Sequence, residues 1–176
     1  MAVARAPDGI VLRTHRDLEG RRHEPWVRRV LLLLLLAIPV AALVNVFGQS
    51  PRTTNASARD ARIQLLAPQS VRPGLLYEAR FRVFARHELK KATLVLEPGW
   101  LEGFTLNTLE PSPLDEASDH GRLVFTLGHI PAGGSYRLYL QFQVNPTTIG
   151  RRSQDATLLD GTRTLARIHR TITVFP

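Results

Sequence analysis

Three polar side chains near the C-terminus, Ser153, Asp155 and His169, have the residue types of a hydrolytic triad. Such a triad needs a serine nucleophile, an imidazole that accepts its proton and a carboxylate that orients the imidazole. The three side chains can meet across a β-hairpin, but a chain of 176 residues offers many combinations of this kind. The sequence has no Gly-x-Ser-x-Gly elbow, phosphate-binding loop or dinucleotide-binding glycine pattern. We therefore predict that the protein is not an enzyme.

A second group of potential ligands lies between Asp115 and His120, where three carboxylates and an imidazole occur together. Oxygen donors of this kind can hold Ca²⁺, but a dedicated calcium loop needs a glycine and a longer series of ligands. The six histidines are scattered and form no His-x-x-x-His pair, and the chain contains no cysteine. Thiolate nucleophiles, cysteine metal sites and disulfides are therefore excluded. We predict a solvated acidic loop over residues 110–121 and no metal or cofactor.

Exposed aromatic and basic side chains are the candidates for contact with a partner. They are Trp100, Tyr139, Arg80, Arg82 and Arg137. Tyr139 and the three arginines occupy the polar side of two predicted strands, whereas Trp100 follows a Pro-Gly turn. Each prediction has an alternative that remains open. Trp100 can cap one end of the core, and the polar side can be the solvated face that any half-buried sheet presents to water.

An uncharged apolar segment, Val30 to Phe47, indicates where these residues lie relative to a membrane. As a helix with ~1.5 Å rise per residue, it nearly crosses a hydrocarbon core of ~30 Å. A cleaved signal peptide is the alternative, but this segment and the 29 residues before it are both long for one. Six consecutive leucines leave no polar face for a helix of a soluble protein. We therefore predict an uncleaved transmembrane helix over residues 30–47.

The charges around this helix predict its direction. Four arginines stand in the ten residues before it, namely Arg21, Arg22, Arg28 and Arg29. The nearest arginine after it is Arg52. The positive-inside rule then places a basic tail, residues 1–29, in the cytoplasm and the domain after the helix outside the cell membrane. The formal net charge is +8, but the basic residues are spread among acids, so we do not expect a nucleic-acid partner.

Beyond a small, polar linker over residues 48–60, the apolar residues alternate with a period of two. The alternation is clearest in Ser135 to Val144 and in Leu75 to Phe84. Further strands are predicted at Arg62–Leu66, Ala92–Glu97, Phe104–Leu106, Arg122–Leu127, Ser153–Leu159 and Arg163–Phe175. The last two flank a hairpin turn at Asp160-Gly161. Arg170 interrupts the apolar face of the last strand, so either a bulge redirects it or the strand changes partners there.

Strands that recur without helices between them predict an antiparallel β-sandwich of seven or eight strands over residues 61–176. The stretch from Leu123 to Leu138 contains the pattern Leu-Gly-x-Ile-x-x-Gly-x-Ser followed by an alternating strand. It resembles the immunoglobulin-like domains of bacterial envelope proteins, including the cell-adhesion-related domain found in bacteria. The turn Val71 to Gly74 is similar to their first hairpin. The resemblance covers residues 61–146, whereas the single domain and the Asp160-Gly161 hairpin depart from those proteins.

The resemblance implies an immunoglobulin-like sandwich outside the cytoplasm with a binding or spacing role, and it implies no catalytic residues. Together with the predicted anchor, it indicates a non-enzymatic single-pass membrane protein. Its partners would be the lipid bilayer and another envelope or membrane protein, which the outer domain binds or scaffolds. The alternative is a module that binds polysaccharide or another cell-wall polymer through Trp100, Tyr139 and the arginines.

Overall fold

The computed structural model of the chain describes residues 24–44 and 49–175. The predicted basic tail falls mostly outside the described residues, and so does the predicted end of the transmembrane helix at residues 45–47. The chain divides into two units, with the boundary after residue 46. The first unit contains the helix, and the second contains the strands.

The helix, α1, spans Glu24–Leu43 and therefore begins six residues before the predicted start at Val30. Pro25 stands at its beginning, where a missing backbone N–H costs nothing, and Arg28 and Arg29 lie within it. Pro39 lies inside the helix. The part from Pro25 to Leu43 is long and apolar enough to cross a membrane. By length and composition, α1 fits either a membrane anchor or a signal sequence.

The second unit is built from strands in three sheets. Within the described residues there are thirteen strands: β1 Pro51–Ser57, β2 Ala61–Pro68, β3 Ser70–Val71, β4 Leu76–Ala85, β5 Leu89–Leu96, β6 Phe104–Glu110, β7 Asp115–Asp119, β8 Arg122–Ile130, β9 Ser135–Val144, β10 Gly150–Ser153, β11 Ala156–Asp160, β12 Arg163–Ile168 and β13 Thr171–Val174. The front sheet has the order β1-β2-β4-β9-β6, and the back sheet has the order β12-β11-β5-β8-β7. A third, short sheet has the order β10-β13-β3.

Two layers enclose one hydrophobic core. In β4, Tyr77, Ala79, Phe81 and Val83 are buried, as the alternation predicts, and the residues between them face outward. Buried side chains of the back sheet, such as Phe125, belong to the same cluster. The sheet pairs are antiparallel except for β3 with β13. The predicted all-β antiparallel sandwich is therefore confirmed, although it has more strands than the seven or eight expected.

The predicted flexible linker over residues 48–60 is wrong for its central part. Pro51–Ser57 forms β1, which pairs with β2 along its whole length, from Pro51 opposite Pro68 to Ser57 opposite Arg62. β1 lies at one edge of the front sheet, and most of its residues are exposed. An exposed edge strand needs no run of apolar residues, so its composition resembles that of a linker.

Two further predictions, the acidic loop and the last strand, differ from the structure. The acidic loop over residues 110–121 contains β7, an edge strand of the back sheet whose five residues are all exposed. The predicted last strand, Arg163–Phe175, is divided into β12, which pairs with β11, and β13, which pairs with β10 and β3. Arg170 stands at the division, so the strand changes partners there. The predicted hairpin is confirmed, but its two loop residues are Gly161 and Thr162, not Asp160 and Gly161, because Asp160 pairs with Arg163. Gly161 has φ +59°.

Candidate functional site

The outward side of the front sheet, here called the front face, carries four of the five predicted contact residues. Strand register places Arg80 directly opposite Tyr139 and Arg82 directly opposite Arg137, on β4 and β9. All four residues are exposed. The alternation of β4 and β9 puts them on one side of the sheet, because their neighbours along each strand point into the core.

Arg80 is fixed in the centre of this face. Its Nε donates to Oε1 of Glu78 at 2.7 Å, and its Nη2 donates to Oε2 of the same carboxylate at 2.9 Å. Its guanidinium carbon also lies 5.9 Å from the ring centroid of Tyr139, at cation–π distance. The hydrogen bonds from Arg80 hold the pKa of Glu78 below its ordinary value. Arg80 is thus a positioned residue whose charge is already partly compensated.

Arg82 and Arg137 are in a different situation. Across residues 24–44 and 49–175, neither arginine has an acidic group within ion-pair distance. Two like charges directly opposite each other on neighbouring strands are destabilising. This end of the front face therefore carries positive charge that the described part of the chain does not neutralise.

A fourth arginine belongs to the same surface, although it was not among the predicted contact residues. Arg62 and Gln64 of β2 line a shallow depression together with Arg82 and Phe84 of β4. Gln64 is directly opposite Arg82 in the register. The signal was present in the sequence, because Arg62 and Gln64 alternate with the apolar Ile63 and Leu65 in a predicted strand.

The other end of the front face is acidic. A second depression is lined by Glu78 and Gln141, with Glu110 and Thr108 of β6 beside Tyr139. Glu110 is directly opposite Tyr139 in the register and is exposed. The front face therefore has a basic end and an acidic end marked by Glu110, with the Arg80–Glu78 pair between them.

Trp100 does not belong to this surface, so its prediction as a contact residue is wrong. It is 0% exposed and ends a short 3-10 helix, Pro98–Trp100. Its ring lies 5.6 Å from that of Phe81 and 5.4 Å from that of Phe142, and its Nε1 donates to the backbone oxygen of Asp155 at 2.9 Å. A buried indole N–H needs such an acceptor. The alternative interpretation, in which Trp100 is part of the core, agrees with the structure.

Ser153, Asp155 and His169 do meet, but in the wrong order for a nucleophilic triad. Ser153 Oγ donates to Asp155 Oδ1 at 3.0 Å, and His169 Nδ1 lies 2.8 Å from Asp155 Oδ2. The carboxylate therefore lies between the hydroxyl and the imidazole, whereas a triad needs the imidazole in the middle. The backbone N–H of Arg170 also donates to Asp155 Oδ1, so this carboxylate holds the connections between strands together.

Asp155 has a lowered pKa that reflects the same contacts. Burial raises its pKa, but the hydrogen bonds from His169, the backbone N–H of Arg170 and the hydroxyl of Ser153 outweigh that effect. The carboxylate is therefore ionised at neutral pH and accepts hydrogen bonds. These interactions stabilise the fold and hold the His169 imidazole against Asp155 and not against the serine hydroxyl.

The Asp115–His120 segment has no arrangement of ligands around a cation. β7 pairs with β8, and its residues alternate between the two sides of an edge strand. Asp119 contacts His120 and Arg122, and hydrogen bonds from these residues lower its pKa. Over residues 24–44 and 49–175, no group of three or more His, Cys, Asp and Glu residues is placed to hold a metal ion.

No known protein family matches the chain, and no curated protein is similar to it in sequence. Solved structures with a related arrangement include the solution structure of CaCohA2 from Clostridium acetobutylicum. Its sequence identity with this chain is 14%, the alignment covers 74% of this chain and 94% of that chain, and the TM-score is 0.44. The chitin-binding domain of a Pyrococcus furiosus chitinase has 13% identity and a TM-score of 0.38, and the alignment covers 65% of this chain and 100% of that domain. A CARDB domain from Pyrococcus furiosus, in complex with di-metal ions, has 14% identity and a TM-score of 0.36, and the alignment covers 72% of this chain and 94% of that domain. With TM-scores below 0.5, these similarities assign neither a family nor a partner.

Proposed function

We propose that this protein is a non-enzymatic, single-pass membrane protein whose outer domain binds another envelope or membrane protein through the front face. The observation that carries the proposal is the pair Arg82 and Arg137, exposed and directly opposite each other without an acidic partner in the described part of the chain. Such a pair costs the isolated domain stability, and a bound partner can compensate for that cost.

Membrane attachment is supported by the composition of α1 and by the arginines that precede its apolar part. With Arg21, Arg22, Arg28 and Arg29 on one side, the N-terminal residues 1–29 would be cytoplasmic and the β domain extracytoplasmic. The chain contains no cysteine, so single cysteines give a clean test. A membrane-impermeant maleimide should label Ser135→Cys in intact cells, and it should label Ala2→Cys only after lysis. Loss of an N-terminal tag from the mature protein would instead identify a cleaved signal sequence.

Absence of catalysis is supported by the arrangement around Asp155. The Ser153 hydroxyl is hydrogen-bonded to a carboxylate that also contacts the His169 imidazole and the backbone N–H of Arg170, so the imidazole does not face the hydroxyl as a proton acceptor. Binding to polysaccharide has less support than binding to a protein. Carbohydrate rings stack on exposed aromatic faces, whereas Trp100 is buried and the ring of Tyr139 already has Arg80 at cation–π distance.

The experiment places a photo-cross-linking amino acid at Gln143, an exposed position on strand β9 of the front face, in the full-length protein in its native membrane. Thr164, which is exposed on an edge strand of the back sheet, is the matched control position. We expect one reproducible membrane or envelope protein to be cross-linked from position 143 and not from position 164. Equal cross-linking from both positions, or cross-links only to wall polymer, would contradict the proposal.

A further inference from the structure

The basic end of the front face is defined by three guanidinium groups on three neighbouring strands. Arg82 of β4 has Arg137 of β9 directly opposite on one side and Gln64 of β2 on the other. Arg62 of β2 lines the same depression as Arg82. No acidic side chain of residues 24–44 and 49–175 is within ion-pair distance of any of the three. The three positive charges are therefore available to a ligand.

We infer that the partner presents an acidic protein segment, whose Asp or Glu carboxylates bind Arg62, Arg82 and Arg137. This inference rests on the proposed function and names the chemistry of the partner. A guanidinium group offers two parallel N–H donors that match the two oxygens of a carboxylate. A carboxylate between Arg82 and Arg137 would receive hydrogen bonds from both and remove the repulsion between them. Gln64, beside Arg82, can add an amide donor to the same carboxylate.

The acidic end of the same face explains why a protein fits better than an anionic lipid surface. A membrane carrying uniform negative charge would attract the three arginines but would be repelled by Glu110, which has no basic side chain within ion-pair distance among residues 24–44 and 49–175. A protein segment can place its carboxylates at the basic end and a neutral or basic group at the acidic end. The surface thus discriminates by pattern as well as by net charge.

A second copy of this chain is a poor candidate for the acidic partner. Residues 48–176 contain sixteen basic and eleven acidic side chains, so their formal net charge is +5. Two such domains repel each other at long range. The most acidic exposed strand, β7, also has one of its carboxylates, Asp119, already engaged by His120 and Arg122.

The test measures binding of a synthetic octaglutamate peptide to the full-length protein in nanodiscs of neutral lipid at low ionic strength. The variants are Arg82→Glu and Arg137→Glu, and Lys90→Glu, an exposed residue of the back sheet, is the control with the same change in charge. We expect each front-face variant to weaken binding roughly tenfold or more, because hydrogen bonds to charged groups contribute that much. The control should change it less than roughly twofold, since charges far from the site are screened. Added salt should weaken binding to the unchanged protein.

Three results would overturn the inference. The first is no binding of the peptide by the unchanged protein, and the second is equal weakening by Lys90→Glu. The third is that the protein in its neutral nanodisc binds separate nanodiscs containing phosphatidylglycerol more strongly than it binds the peptide, and that this binding depends on the arginines. That result would assign the basic end to lipid headgroups. Folding is checked for each variant by the near-ultraviolet circular dichroism of the buried aromatic residues.

The failure of this inference can be distinguished from the failure of the proposed function. If position 143 cross-links a protein partner and Arg82→Glu leaves the yield unchanged, the front face binds a protein that the arginines do not recognise. If position 143 cross-links no protein, the proposed function fails whatever the peptide does. If Arg82→Glu abolishes the cross-link and weakens peptide binding, both are supported.

Discussion

The guanidinium carbon of Arg170 lies 5.9 Å from the centroid of the Trp100 ring, although only 8% of Arg170 is exposed to solvent. Nη2 of Arg170 donates to the backbone oxygen of Pro68, whereas Nε and Nη1 have no hydrogen-bond partner in the described part of the chain. Burial lowers the pKa of Arg170. The ring face of Trp100 and one carbonyl therefore provide most of the compensation for a charge in the core.

Replacing Arg170 by an apolar side chain of similar length should cost little stability. We expect Arg170→Met to have a free energy of unfolding within about 1 kcal/mol of the unchanged protein, because it removes two unpaired donors along with one hydrogen bond. Arg170→Ala should lose about 2–4 kcal/mol, because it leaves a cavity beside Trp100. Urea unfolding in detergent, followed by Trp100 fluorescence in a Trp26→Phe background, measures both values.

Equal and large losses for Arg170→Met and Arg170→Ala would contradict this explanation. They would show that the positive charge itself stabilises the fold, through its interaction with the Trp100 ring. Both variants lack the positive charge, and they differ in side-chain volume. The difference in stability between them therefore measures packing, whereas the difference between Arg170→Met and the unchanged protein measures the effect of the charge and its hydrogen bond.

Asp155 should make stability depend on pH. Its pKa is lower in the folded protein than in the unfolded chain, so its ionised form stabilises the fold. This stabilisation is complete above the unfolded pKa of about 3.9 and is lost as the pH falls through the folded pKa. We expect Asp155→Asn to reduce the free energy of unfolding by about 1–2 kcal/mol at pH 7, since hydrogen bonds to a charged acceptor are lost. The difference from the unchanged protein should shrink as the pH is lowered from 5 to 2.

The matched control for this pH series is Ser153→Ala. This variant removes one donor to Asp155 and leaves the contacts with His169 and the backbone N–H of Arg170. We expect a smaller loss of unfolding free energy than for Asp155→Asn, and this loss should likewise shrink as the pH is lowered from 5 to 2. A loss for Asp155→Asn that stays constant from pH 7 to pH 2 would show that charge at this position contributes nothing.

Gly99 allows the 3-10 helix that carries Trp100 to approach the end of β10 closely. A Cβ atom at Gly99 would lie 1.8 Å from the backbone oxygen of Ser153, and a backbone atom cannot move aside as a flexible side chain can. We expect Gly99→Ala to lower the free energy of unfolding by about 2–3 kcal/mol through overpacking. Gly74→Ala is the control, since Gly74 has φ +76° but a Cβ atom there would meet nothing within 4 Å. Its cost should be about 1–2 kcal/mol of backbone strain, because an L-residue is strained at positive φ. Equal losses would refute the close-packing explanation.

The sequence predicts best those elements that bury one side. β4 and β9 alternate apolar and polar residues, so their bounds and inward-facing residues follow from the pattern. β1 and β7 are edge strands with largely or wholly exposed residues, and nothing in their composition records the pairing that forms them. Their strand character depends on neighbours distant in the chain.

The candidate site was predictable to a similar degree. Arg82, Arg137 and Tyr139 follow from alternation, but the register that places the two arginines opposite each other depends on strand pairing. Burial of Trp100 depends on a short 3-10 helix that folds back over the core, and a Pro-Gly-Trp sequence is equally compatible with an exposed turn. The order of the Ser153, Asp155 and His169 contacts likewise follows from how β10, β11, β12 and β13 meet.

Reversing one charge of the Arg82–Arg137 pair should separate stability from binding. Arg82→Glu places a carboxylate directly opposite Arg137, and an opposite-charge pair replaces a repulsive one. We expect the free energy of unfolding to rise by about 0.2–1 kcal/mol, while cross-linking of the partner from position 143 is lost. Arg82→Gln, which removes the charge without reversing it, is the control and should give a smaller rise in stability and a partial loss of cross-linking. A lower stability for Arg82→Glu would show that Arg82 supports the fold, and it would remove the main reason for assigning these two arginines to a partner.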